Sequence, residues 1–434
     1  MNNTLIPRKF YIETYGCQMN QADSDALVHK LQTHNFLKTS DPNDADFLIL
    51  NTCAVRQHAE DKVYSRIGVF NKKYKGSKKI IVLGCLAQAE KKELNKKHPA
   101  VDFVIGTYHL SDIVNILQKE QTIATSFNQY HFLESVPEER FFFKAKIDIS
   151  HGCNNFCSYC IVPYVRGREI SRSSKTILEN IQRLVQAGVI EIMLLGQNVN
   201  SYGQDTKDIS FPELLYKIST IDGLKRIRFL TSHPKDFSDE LIDVIFSSDK
   251  ISKYIHLPLQ SGSDTVLEKM GRNYTFEHYK SIVDKIRKKN PNTALTTDIM
   301  VGFHGEGEKE YQETLDAVKT IRFDDIYMFK YSKRKMTKAF SLEETISEEE
   351  KSLRLQNLIN IQREISLEKK QKLIGKTVEV LVEEPSKLNP NHMKARTDTN
   401  FVVIIPSKNK KIGHFYNITL SSIKGQTLIG KEES

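Results

Sequence analysis

Three cysteines, Cys153, Cys157 and Cys160, stand close together in a CxxxCxxC pattern, and three more, Cys17, Cys53 and Cys85, lie far apart. Three closely spaced thiolates can hold three corners of a 4Fe-4S cubane and leave its fourth iron without a protein ligand. An open iron of that kind can be chelated by the amino and carboxylate groups of S-adenosylmethionine. One-electron cleavage of that molecule gives methionine and a 5′-deoxyadenosyl radical. The division of the six cysteines into two trios suggests two metal sites.

The same tight spacing also suits a structural zinc ion, with His151 completing a Cys3His tetrahedron. His151 is a poor fourth ligand, because a single residue separates it from Cys153. The aromatic directly before the last cysteine, Tyr159, resembles the position that packs near adenine in the radical S-adenosylmethionine signature.

The elements that must position these residues follow from the apolar pattern. Residues 10–14, 47–50 and 80–83 are predicted strands, and 22–35 a helix between the first two, a βαβ arrangement with a parallel sheet. Cys17, Cys53 and Cys85 each fall just past one of those strands, about one βα unit apart. Ligands gather at the carboxyl ends of parallel strands, so three cysteines distant in sequence can converge on one sheet edge as a second cluster site. The alternative is three small buried residues at strand ends.

Residues 137–140 are a predicted linker. Beyond it, strands at 143–149, 191–195, 226–230, 254–256, 294–297 and 326–329 alternate with helical stretches such as 173–187 and 276–289. Six such units imply a partial (β/α)6 TIM-like barrel, with its site at the strand carboxyl ends. The CxxxCxxC loop follows the first of these strands. Polar residues follow the others: Gln197, Asn198 and Asn200, then Ser232 and His233, then Gln260 and Ser261, then Asp298 and Gly302. They are candidates for a rim holding S-adenosylmethionine and a target base, with helix capping and ordinary loop polarity as the alternative. From Thr377 short alternating strands separated by turns predict a small β-barrel, and Lys408, Lys410 and Lys411 suit an RNA-facing surface.

A chain of 434 residues with 39% hydrophobic and 27% charged residues is long enough for two or three domains of an α/β protein. The first ten residues carry no apolar stretch of export-signal length and no later run approaches a membrane span, so the expected compartment is the cytoplasm, without a membrane partner. A reducing compartment favours metal binding over disulfides. The net charge of +9 is compatible with a polyanionic partner. Two basic clusters add to this: Lys72, Lys73, Lys75, Lys78 and Lys79, expected in one loop, and Lys330, Lys333, Arg334, Lys335 and Lys338 around a strand end.

With these residues in hand, the chain resembles the methylthiotransferase family of radical S-adenosylmethionine enzymes from about Arg8 onward. The matching blocks are Tyr15-Gly16-Cys17-Gln18-Met19-Asn20, Asn51-Thr52-Cys53-Ala54-Val55-Arg56, the segment 152–168, Leu195-Gly196-Gln197-Asn198-Val199-Asn200, Ser232-His233-Pro234 and the segment 256–263. The resemblance implies an N-terminal methylthiotransferase domain (8–125) with an auxiliary 4Fe-4S cluster on Cys17, Cys53 and Cys85. It further implies a radical barrel (139–372) with its cluster on Cys153, Cys157 and Cys160, and a C-terminal TRAM domain (373–434) that binds RNA. S-adenosylmethionine would serve as methyl donor and radical source, and Tyr159, Gln197, Asn198, Ser232, Gln260, Ser261 and Asp298 are the candidates for contacting it.

The implied partners are a tRNA anticodon stem-loop and separate electron-donor and sulfur-donor proteins, with the chain itself monomeric. Gln18-Met19 after Cys17 favours the branch acting on isopentenyl-adenosine. The rivals are the branches acting on threonylcarbamoyl-adenosine or on a ribosomal-protein aspartate, and, from another class, a non-catalytic iron-sulfur RNA-binding protein. The pattern is broken at His304, where a proline is usual, at Met336, where a glycine is common, and at Ala395, where Gly-Arg-Thr would start.

Overall fold

The computed structural model describes residues 7–55 and 57–431; Arg56, quoted above within a matching block, lies outside them. Six strands form the first sheet: β1 (Lys9–Thr14), β2 (Leu37–Lys38), β3 (Phe47–Thr52), β4 (Lys79–Gly84), β5 (Val101–Ile105) and β6 (Ile123–Ala124). They lie in the order β2-β1-β3-β4-β5-β6, and every pairing is parallel. β3 is buried at all its positions, as a parallel strand covered on both faces must be. One apolar layer joins Leu27 and Leu31 to Ile49 and Leu83, and the other joins Val63 and Phe70 to Leu48 and Val82.

The next strands are β7 (Lys144–Asp148), the short pair β8 (Ser150–His151) and β9 (Ile170–Ser171), then β10 (Glu191–Leu195), β11 (Arg226–Phe229), β12 (Tyr254–His256), β13 (Ala294–Val301) and β14 (Asp325–Lys330). The larger six form two parallel sheets, β11-β10-β7 and β12-β13-β14, with Ile227 bridging to Ile251 at the seam. This is the expected partial barrel, and the helices Ser174–Gln186 and Phe276–Lys289 lie close to their predicted limits.

Two expectations change here. Asp298 lies inside β13, which runs on to Val301, because the strand carries an apolar residue at alternate positions beyond the predicted end. The lysines expected in one loop are spread over a helix end (Lys72, Lys73), a turn (Lys75, Lys78) and β4 (Lys79), and Lys78 Nζ is spent on the carbonyls of Asn43 and Ala45.

The remaining strands, β15 (Thr377–Pro385), β16 (His392–Thr397), β17 (Val402–Pro406), β18 (Phe415–Lys424) and β19 (Thr427–Lys431), close into a barrel in the order β15-β16-β17-β19-β18. Its core holds Val380, Ala395, Val403, Ile418 and Leu428, so the departure at Ala395 is accommodated as a buried small residue. β16 was not foreseen, because His392-Met393-Lys394-Ala395-Arg396 alternates long charged stems with small apolar residues and carries few β-branched side chains.

The three parts meet at opposite ends of the partial barrel. The small barrel docks on the amino ends of β7, β10 and β11, where Lys144 bonds Glu383 and pairs with Glu191, and Arg228 donates to the carbonyls of Thr397 and Asp398. The first sheet docks at the carboxyl ends, where Arg334 donates to the Val55 carbonyl and to Gln57 and Glu60. The stretch expected to be a linker is pinned at the amino end of β7, with Pro137 bridging to Ala145 and the Glu138 amide bonded to the Lys144 carbonyl.

Candidate iron-sulfur and substrate site

β1, β3 and β4 are neighbours in the sheet, and Cys17, Cys53 and Cys85 follow their carboxyl ends in turn. Thr52 pairs with Gly84, which brings the positions before Cys53 and Cys85 side by side. The glycines before two of these cysteines have a packing reason. Gly16 has φ +149, and a Cβ there would lie 2.8 Å from Cys53 Cβ; Gly84 has φ +94, and a Cβ there would lie 2.7 Å from the Thr52 carbonyl oxygen. Side chains at either place would push the cysteine-bearing turns apart. Cys17 is exposed, while Cys53 and Cys85 are buried.

The tight trio is held by its own loop. The Cys153 amide bonds the Gly167 carbonyl, the Cys160 amide bonds the Cys157 carbonyl, and the Asn155 amide reaches Cys153 Sγ at 3.5 Å. Ser158 ties the loop to the carbonyls of Met270 and Lys269. Gly152, with φ +77, would place a Cβ 2.1 Å from the Arg168 carbonyl oxygen. Between the two trios lies the short helix Val162–Val165: Cys85 packs with Ala54, Ile161 and Val165, and Ile161 follows Cys160 directly.

The donor sets fit iron-sulfur clusters. Each trio supplies three thiols, the donor type that holds iron-sulfur clusters. His151, needed for the zinc alternative, is stacked on Tyr130 at 3.8 Å with Tyr108 at its edge. Burial pushes the thiols of Cys85 and Cys160 up and that of Cys153 up to about 11. Left bare, they would stay protonated at neutral pH; a bound metal is what converts such groups to thiolates.

A cavity of about 860 Å³ begins at Gly16, Cys17 and Cys53, runs along the inner faces of β7, β10 and β11, and ends at Glu383 and Arg396 of the small barrel. One stretch of its wall is apolar: Met19 and Leu195 pack together with Met193 and Leu230 across the join between the first sheet and the partial barrel. Elsewhere its cations face carboxylates: Lys144 faces Glu191 and Glu383, Lys146 faces Asp25 and Glu138, Arg228 faces Glu191, and Arg396 faces Glu383.

Of the rim candidates, Gln197 and Asp298 line this cavity. Gln197 Nε2 lies 2.6 Å from Met19 Sδ, and Asp298 Oδ2 lies 3.5 Å from His256 Nε2. The others are outside its wall. Asn198 donates to Asp236, and Asn200 reaches the Asp236 carbonyl. Ser232 is buried with its hydroxyl unpartnered, and Gln260 holds a left-handed φ of +73. Ser261 bonds Thr314 and accepts from the Ser263 amide, but the N-cap of the helix that follows is Ser263, so Ser261 is not a helix cap. Tyr159 packs edge-on to Phe303 near Met270 and Tyr331. Burial pushes His233 down to about 2, with Arg272 and Lys235 adding to the effect, so its imidazole is neutral.

Two residues that sequence reasoning missed touch the cysteines. Arg166 Nε lies 3.4 Å from Cys85 Sγ, and Arg272 Nη1 lies 3.6 Å from Cys157 Sγ. Arginine at a loop end is ordinarily solvated, so nothing in its type marked either one. Arg334, counted above in a basic cluster, is buried in the contact with Glu60 rather than free for RNA.

A partial barrel with a trio of cysteines after its first strand defines the class of radical S-adenosylmethionine enzymes. Residues 147–318 match the Radical SAM superfamily, 371–431 match the TRAM domain, and 9–106 match an uncharacterized protein family, UPF0004. The chain is 44% identical over 433 residues to a tRNA-2-methylthio-N(6)-dimethylallyladenosine synthase of Thermoanaerobacter pseudethanolicus, covering 97% of this chain and 92% of that one. It is 43% identical over 435 residues to a synthase of the same name from Clostridium botulinum, covering 98% and 97%. The chain belongs to the tRNA-2-methylthio-N(6)-dimethylallyladenosine synthase family. A solved radical S-adenosylmethionine methyltransferase, TsrM from Kitasatospora setae, shares the fold at a TM-score of 0.54 and 14% identity, over 74% of this chain and 72% of that one.

Proposed function

We infer that this protein is a tRNA methylthiotransferase that places a methylthio group on carbon 2 of N6-isopentenyladenosine beside the anticodon. When bound, the two 4Fe-4S clusters and S-adenosylmethionine supply the radical, the methyl group and the sulfur for an unactivated C–H bond that no side-chain base can usefully deprotonate. Cys153, Cys157 and Cys160 hold the radical cluster, and Cys17, Cys53 and Cys85 the auxiliary one. The observation that carries this reading is the shared cavity: Cys17 and Cys53 open onto the same space that the barrel strands enclose. A base held there stands close to the sulfur source, and such proximity decides whether a carbon radical is captured.

The isopentenyl branch is favoured by the apolar stretch of the cavity wall. Met19, Met193, Leu195 and Leu230 offer carbon contacts to a dimethylallyl tail. The lysines and arginines that a carboxylate-bearing threonyl group would need are already matched by carboxylates. Gln197 and Asp298, which line the cavity, are the rim residues positioned to orient the base; Tyr159, Asn198, Ser232, Gln260 and Ser261 remain the candidates for contacting S-adenosylmethionine.

The chain divides functionally at 8–125, 139–372 and 373–434. The small barrel grips the anticodon stem-loop, with Lys408 and Lys411 exposed for the phosphates and Lys410 stacked over Tyr416 at 4.5 Å. A target base in a loop leaves its stack at lower cost than one in a duplex. Electrons and sulfur come from separate proteins, and the chain works as a monomer in the cytoplasm. Among the described residues no helix is long and apolar enough to cross a membrane.

Mass spectrometry of nucleosides from isopentenylated tRNA tests this reading. The tRNA is incubated with anaerobically reconstituted protein, S-adenosylmethionine, sulfide and a low-potential reductant. A 2-methylthio product on the isopentenyl base is expected; 5′-deoxyadenosine without that product would mean that the substrate is wrong.

A further inference from the structure

Each cysteine trio has one buried arginine aimed at one of its sulfurs. Arg166 comes from the partial barrel and reaches across to Cys85 of the first sheet. Its Nη2 is 2.7 Å from Asp23 Oδ2, both side chains are 2% exposed, and its Nη1 has no partner. Arg272 is buried beside Cys157, and its remaining donors go to two neutral groups, the Pro258 carbonyl at 2.8 Å and the Tyr274 hydroxyl at 2.9 Å. A buried guanidinium facing a neutral thiol and neutral oxygens is costly. The same guanidinium facing a thiolate on an iron-sulfur cluster has the anion it lacks.

We propose that Arg166 and Arg272 are redox-positioning residues, one for each cluster, whose N–H donors and charge hold the reduction potential of the neighbouring cluster up. This rests on the assignment of the two trios as cluster ligands. Adding an electron to a cluster adds negative charge, and a hydrogen bond to a ligand sulfur with a buried cation behind it stabilises that reduced form. Asp23 acts in the opposite sense, because its carboxylate offsets part of the Arg166 charge.

The test is a potentiometric titration followed by electron paramagnetic resonance, on full-length reconstituted protein without S-adenosylmethionine. One cluster is observed at a time by replacing the other trio with alanine. With the auxiliary cluster alone, Arg166→Gln moves the midpoint to more negative values, Arg166→Lys moves it less, and Asp23→Asn moves it to more positive values. With the radical cluster alone, Arg272→Gln moves the midpoint to more negative values. Opposite signs at Arg166 and Asp23 are an electrostatic signature that a merely structural role would not give. Unchanged midpoints in variants whose iron content is intact would overturn the proposal while leaving the ligand assignment standing. Failure of a trio to hold about four irons when it is the only one present would overturn the assignment, and the proposal with it.

Discussion

Cys153, Cys157 and Cys160 owe their meeting to a single loop, tied by its own amides and by Ser158, whereas Cys17, Cys53 and Cys85 meet because three adjacent strands end at the same edge. The first site is local chemistry, and the second is a property of the sheet. The difference predicts how each fails: the tight trio through a change in its loop, the spread trio through any change that shifts strands or separates the first sheet from the barrel.

The largest effect is expected from removing a tight-trio ligand. Cys157→Ala should abolish 5′-deoxyadenosine formation, with bound iron falling from about eight to about four per chain, measured by chromatography and iron assay.

Next come the glycines that precede the cysteines. At Gly152 an added Cβ meets backbone, 2.1 Å from the Arg168 carbonyl oxygen, while at Gly16 it meets side chains, Asn20 Oδ1 at 2.4 Å and Cys53 Cβ at 2.8 Å. Gly152→Ala should therefore cost about 4 kcal/mol from the left-handed backbone and the clash together. Gly16→Ala should cost less, which chemical denaturation would resolve.

Arg334→Ala sharpens the comparison by loosening only the spread trio, since Arg334 clasps the Val55 carbonyl just beyond Cys53. It also leaves the half-buried Glu60 without its cation, at a cost of about 2 kcal/mol. Burial already raises the Glu60 carboxyl, with Arg334 pulling against it. A carboxyl raised in the folded state disfavours folding at pH above its folded value and ceases to do so as it is protonated. The deficit of Arg334→Ala should thus be full at neutral pH and shrink as pH falls toward the Glu60 titration, as thermal melts across pH would show.

The smallest effect is a gain. Met336 holds a left-handed φ of +72, and Met336→Gly should stabilise the protein by about 1 kcal/mol, seen as a higher Tm.

The same contrast explains what the sequence made legible. CxxxCxxC names its chemistry by spacing alone, and the spread trio was visible because Gly16-Cys17, Thr52-Cys53 and Gly84-Cys85 recur at the ends of apolar runs. The six barrel strands were equally plain, since each is a short apolar or alternating stretch followed by polar loop residues. Arg166, Arg272 and Asp23 were not visible, because a buried charge is defined by what surrounds it and its own type points to the surface. Arg334 was misassigned to a basic surface for that reason. The length of β13 was missed because Asp298, a residue type depleted in strands, follows Thr297 and marks an apparent strand end, whereas Asp298 belongs to the cavity wall.

The central claim is that the two trios divide the work. Its most direct test is to quantify 5′-deoxyadenosine and the 2-methylthio nucleoside side by side in Cys53→Ala and Cys157→Ala, both reconstituted and folded. The account predicts that Cys53→Ala still cleaves S-adenosylmethionine but forms no methylthio product, while Cys157→Ala does neither. Equal loss of both activities in the two variants would contradict it.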